Sequence, residues 1–250
     1  MKNPAMWPNS LCYFLRDCTM VACVIALVLV APRLNAECRV TPVQDYWELE
    51  VLDVEPLYDR LGYAEVVWFH VDAPAAGRAG ELESAGYVHA LYDLPIEALA
   101  DALADLEGQA DFLPRLARAE VLCVGEVDGR YASLLQRLSF RLLFFRRDYE
   151  YVLHYMSESE VDRESRFRAW WELDRAVEGN VVGTDGSWIL ERVEVNGREL
   201  TYAGYAVRTV FERRAAGLAT VLRRFGARDM KRVMDALAEE ATARRAAAGT

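Results

Sequence analysis

The sequence predicts an α+β domain: a run of antiparallel strands closed by one long C-terminal helix. Three observations carry this. Residues 119–210 read as β-rich runs punctuated by turn dipeptides, and parallel strands would need long crossovers instead. Residues 215–248 carry one broad apolar stripe at helical spacing. Two short helical segments stand between the first strand of the domain and the later strands. The 250 residues are 53% hydrophobic and 27% charged, which excludes wholesale disorder. The formal charge of −10 argues against nucleic acid as a partner, because a sequence-independent binder presents a basic surface.

The N-terminus reads as a targeting segment. Residues 20–31 (MVACVIALVLVA) are uncharged and apolar, with Lys2 and Arg16 before them and Arg33 and Ala36 after. A basic flank, a short apolar run and a small-residue exit mark a secretory signal peptide. The run is shorter than the about 20 residues of a comfortable membrane span. Residues 1–36 are therefore expected to be cleaved and the protein exported, to the periplasm or the extracellular space. The alternative is an uncleaved helix that anchors it to the inner membrane. Cleavage removes Lys2, Arg16, Arg33 and Asp17, taking the charge from −10 to −12, and leaves Cys38 and Cys123. Cys123, in the run AEVLCV, has the setting of a buried free thiol. A bridge to Cys38 is the alternative, which spacing alone does not decide.

Residues 37–80 read as an extension packed on the main domain, with strands at 46–52 and 63–71 and a Pro/Gly/Ala loop at 72–80. The main domain spans residues 81–245. Residues 87–94 form its first strand. Pro95 opens a helix whose apolar positions Ile96, Leu99, Ala100, Leu103 and Leu106 share one face, and Gly108 ends it. A second short helix covers 109–113, stopped by Pro114. Strands follow at 119–127, 131–140, 148–156, 166–173, 187–195 and 199–210. Asp128-Gly129 and Asn196-Gly197 make hairpin turns. In the last helix, Leu218, Val221, Leu222, Phe225, Met230, Val233, Met234 and Leu237 form the stripe, and Arg223, Arg224, Arg228 and Arg232 the other side. Gly226 interrupts the stripe and predicts a bend. The Ala/Arg tail after Thr242 is expected to fray.

This order of elements is a helix-grip arrangement, a curved sheet wrapped around a long helix. The pieces YVHALYDLPIEALADALADL, FLPRLARAEVL, QRLSF with RRDYEYVLHY, and GSWIL resemble the START-like superfamily over residues 86–243. That superfamily includes the StAR-related lipid-transfer domains and the polyketide cyclases. The resemblance implies an internal cavity for a lipid or other hydrophobic small molecule, loaded through transient membrane contact, with no cofactor. Two other readings stand beside it: a cyclase/aromatase-type enzyme using the same cavity, and an interaction module whose cavity is filled.

Strand parity selects the residues expected to face a ligand. Phe167 and Trp171 alternate with Arg168 and Trp170; Tyr149, Tyr151 and Tyr155 share one face of their strand; Trp188 points inward on a third. Phe112, Leu222 and Phe225 complete the set from the helices. Arg147, in the Arg-Asp step that opens a strand, is the expected polar anchor, because a guanidinium forks onto a carboxylate or phosphate. The sequence holds no nucleophile elbow, phosphate loop, dinucleotide fingerprint or His-Glu-x-x-His pair. No catalytic residue and no metal ligand is assigned. His70, His89 and His154 lie in strand-like runs, and His154 is about 13 Å along its strand from Glu150, beyond hydrogen-bond reach.

Overall fold

The structure is a computed structural model that describes residues 49–73, 80–126, 130–142, 145–158, 165–212 and 217–248. The segment expected to be cleaved lies outside the described residues.

A short helix α1 (Glu55–Tyr58) precedes strands β1 (Glu65–Asp72) and β2 (Glu81–Tyr92), then helices α2 (Ile96–Ala104) and α3 (Gln109–Phe112). Strands β3 (Leu116–Glu126), β4 (Arg130–Leu142), β5 (Phe145–Ser157), β6 (Arg166–Glu178), β7 (Val181–Val195) and β8 (Arg198–Glu212) follow, and α4 (Leu218–Ala248) ends the fold. The eight strands form one antiparallel sheet in the order β1-β2-β8-β7-β6-β5-β4-β3. From β3 to β8 it is a meander of neighbours; α2 and α3 carry the chain from β2 to the far edge. Register shifts at Val66/Trp68, Leu116/Arg118, Val121/Cys123 and Val152/Leu153 mark bulges, which bend strands and increase their twist. The sheet curves accordingly, and α4 packs against β1, β2 and α2.

The apolar stripe of α4 is the buried one: Leu218, Leu222, Met230, Met234, Leu237 and Ala241 face the sheet and α2. Arg224 and Arg228 are exposed, and Arg223 donates to the Val71 carbonyl of β1 at 3.0 Å. The tail does not fray as expected. Arg244 bonds Asp105, at the C-terminus of α2, and Glu240, each at 2.7 Å, so α4 continues to Ala248.

Several boundaries differ from expectation. Leu49–Leu52 is not a strand: this segment leads into α1 and covers the outer face of the sheet, where Leu49 and Leu57 pack with Leu91, Ile189, Leu200 and Tyr202. The extension also contributes β1, which pairs with β2 as an edge strand. β7 begins at Val181, six residues before the predicted start. Its opening carries Gly183 and Gly186, and a Cβ at Gly186 would stand 2.3 Å from Trp171 and 2.5 Å from the Ala206 carbonyl. Gly186 is thus a close-approach position inside a strand. Asn196 and Gly197, at φ 53° and 73°, make the predicted tight turn, whereas Asp128-Gly129 lies outside the described residues. Cys123 is half-buried and disulfide-bonded, which corrects the buried free thiol; every other cysteine lies outside the described residues.

Candidate functional site: a cavity between the sheet and the long helix

The inward faces of β4 to β8 do not reach α4 everywhere, because α4 sits toward the β1–β2 side. Two adjacent lobes that share part of their walls are left between them. One, of about 130 Å³, lies over the sheet, walled by Leu134, Leu153, Tyr151, Tyr155, Trp171 and Trp188. The other, of about 160 Å³, lies under α4, walled by Phe69, Phe140, Tyr149, Phe211, Leu222 and Phe225. They share Pro114, Leu138, Tyr205, Val207, Thr209 and Val233. Together they approach the lower end of the roughly 300–1,000 Å³ of small-molecule pockets.

An aromatic slab forms the floor of the sheet-side lobe. Tyr205 of β8 lies tilted against Trp188 of β7 (centroids 4.4 Å, 31°) and stacks at longer range on Trp171 of β6 (6.0 Å, 24°). Trp171 is able to lie flat here because Gly186 carries no side chain. Trp170, buried as well, points to the opposite face, as parity requires. Tyr149 is wedged edge-on between Phe140 (5.7 Å) and Phe211 (5.4 Å). Its buried hydroxyl makes no hydrogen bond to any described residue, and burial pushes its pKa up against the pull of Arg147. The phenols of Tyr151 and Tyr205 are likewise pushed up by burial.

Tyr149, Tyr151, Tyr155, Trp171, Trp188, Leu222 and Phe225 are therefore brought together around one space. Phe112 and Phe167 are not in these walls: Phe112 packs on the core and Phe167 is fully buried within it. Arg147 is exposed at the strand end rather than in the cavity. The guanidinium at the cavity is Arg115, between α3 and β3. Its Nε and Nη2 both donate to Asp229 of α4 at 3.3 Å, and it lies 5.7 Å from the Phe140 ring centroid. Arg115 adopts φ 71°, a left-handed backbone that an arginine sequence does not signal. Phe69 was also missed, because its strand read as part of an extension outside the domain.

The histidines lie away from both lobes. His70 meets Glu83 at 3.1 Å, and His154 stands 3.5 Å from Asp174. His89 is buried beside Tyr87 and Tyr202, whose hydroxyls are 2.5 Å apart. Burial lowers its pKa, with Glu65 opposing. Among the described residues, no group of metal-binding side chains comes together, and no helix is long and apolar enough to cross a membrane.

A curved antiparallel sheet closed by a long C-terminal helix over an apolar cavity is a helix-grip arrangement. No family model matches the sequence, and no curated protein matches it. Among solved structures, the chain is similar to the STAR-related lipid transfer protein fragment of Xanthomonas axonopodis. Identity is 12%, over 70% of this chain and 98% of that one, with a TM-score of 0.49. It is also similar to the Zhui aromatase/cyclase of a Streptomyces species, at 19% identity over 67% of this chain and 98% of that one, TM-score 0.48. A START superfamily protein of Mycobacterium smegmatis is similar at 9% identity over 63% and 97%, TM-score 0.46.

Proposed function

We propose that the protein binds, and transfers, a lipid or other hydrophobic small molecule held between the sheet and α4. The observation that carries this reading is the pair of adjacent lobes with their aromatic walls. An interaction module with a filled interior would have packed these side chains against one another. Native mass spectrometry of protein purified without detergent is the test. A retained apolar molecule is the expected result. Only the bare chain mass, with no uptake of an environment-sensitive dye, would overturn the reading.

Transfer also needs contact with a membrane. The exposed Arg224 and Arg228 on the outer side of α4 support that step, and transfer to anionic against neutral vesicles tests it. Export is part of the same proposal. The disulfide at Cys123 supports it, because such bonds persist in oxidising compartments. N-terminal sequencing of protein from its native host should find a start near residue 37; a start at Met1 in the membrane fraction would favour the anchored form.

A further inference from the structure

The sheet-side lobe holds polar groups that the apolar reading leaves unused. Tyr151 on β5 and Tyr205 on β8 both line it, with their phenol groups at its wall. Tyr151 is only 5% exposed. Gln136 stands directly opposite Tyr151 in the β4–β5 register and lines the same lobe. Of the other polar groups there, the Thr184 hydroxyl reaches the Arg208 carbonyl and Thr209 at 3.0 Å, and Gln109 donates to the Leu103 carbonyl at 2.8 Å. The slab of Trp171 and Trp188 holds the Tyr205 ring in place.

No charged side chain lines this lobe among the described residues. Arg115, in the helix-side lobe, is already neutralised by Asp229. An anionic head in the sheet-side lobe would be buried without a counter-charge, which is costly. Burial keeps both phenols protonated, so they are donors throughout the physiological range.

We infer that Tyr151 and Tyr205, with the Gln136 amide beside them, form a donor site for a neutral carbonyl oxygen on an otherwise apolar ligand. Ketones, esters and lactones carry such an oxygen. The inference rests on the hydrophobic-ligand reading and narrows it to a class: the apolar body lies against the aromatic slab, and one carbonyl is met by the phenols. A free carboxylate is disfavoured.

The test uses the full mature chain, stripped of bound lipid. Three probes of equal length compete against an environment-sensitive dye: a long-chain methyl ketone, the alkane and the fatty acid. The variants are Tyr151→Phe and Tyr205→Phe, which keep ring volume and should fold. The ketone is expected to bind more tightly than either other probe at neutral pH. Each variant should weaken the ketone by roughly 3- to 10-fold, the worth of one hydrogen bond, and leave the alkane unchanged. The infrared carbonyl stretch of the bound ketone should lie lower in the parent than in the variants. Equal loss for ketone and alkane, or a fatty acid that binds tightest regardless of the phenols, would overturn the donor site. Failure of every probe and of the dye would instead overturn the ligand-binding reading on which it stands.

Discussion

Replacing Gly226 by alanine should destabilise the protein and shrink its cavity, although helix propensity alone argues the reverse. Ala is favoured over Gly in a helix by up to about 1 kcal/mol, and from the sequence Gly226→Ala is expected to stiffen α4 and raise stability. In the structure, a Cβ at Gly226 would stand 2.1 Å from Cζ of Phe69 and 2.8 Å from its Cε2. Carbon atoms pack at about 3.5–4.0 Å, so the ring must withdraw by roughly 1.4 Å or more. Retreat of the helix would open the close packing of Met230, one turn on, against Gly86 of β2, where a Cβ would lie 2.6 Å from its sulfur. The ring yields instead, and the space beside it is the helix-side lobe that Phe69 and Gly226 both line. Overpacking of this kind costs about 1–3 kcal/mol. Set against the propensity gain, the net loss is about 1 kcal/mol, which lowers Tm by roughly 2–4 °C for a domain of this size. Thermal melting by circular dichroism and dye titration of the same samples are the measurements. Phe69→Leu in the same chain should recover part of both losses, since the two sites are in contact. A variant that melts higher than the parent and binds dye unchanged would refute the argument.

Trp171→Ala should weaken apolar-ligand binding more than Trp170→Ala, because only Trp171 lines the cavity. Both are buried and each truncation should cost about 3–5 kcal/mol, so affinities are compared on folded protein; equal affinities would refute the face assignment. His89, held neutral by burial beside Tyr87 and Tyr202, has a folded pKa below its ordinary value. The unfolded chain therefore takes up a proton first as pH falls below about 6.5, and stability declines from there until the folded pKa is passed. His89→Gln should make the urea midpoint fall less between neutral and mildly acidic pH; an unchanged slope would place the titration elsewhere. The carboxyl of Asp105 lies below the usual range because Arg244 hydrogen-bonds it. Arg244→Ala should accordingly speed amide exchange in the last turns of α4 and leave the sheet unaffected; unaltered exchange would show that the helix end is held by its apolar contacts alone.

Much of the fold was legible because it rests on short-range pattern. The stripe from Leu218 to Leu237 is a 3.6-residue period, and it is the face that packs. The Asn196-Gly197 turn and the alternation of Phe167, Ala169 and Trp171 are equally local, and each appears where the pattern puts it. Pattern of this sort decides which element a residue joins and which way its side chain points. It does not decide what lies opposite. Phe167 and Trp171 share a strand face, yet one is sealed in the core and the other borders a cavity, depending on where α4 crosses the sheet. Gly226 reads as a break in a helix and Gly186 falls before the strand the sequence predicts, but at each an aromatic ring from another element, Phe69 of β1 and Trp171 of the paired strand β6, occupies the Cβ position. Arg115 and Asp229 are 114 residues apart, and nothing near either signals the other. Tyr151 and Tyr205 line the same lobe although β5 and β8 are not neighbours in the sheet. The sequence by itself determined the elements and their buried faces, since period and turn chemistry act over a few residues. The cavity, its polar groups and the sign of a single-methyl substitution were decided by tertiary structure, since each depends on the distance between surfaces far apart in the chain.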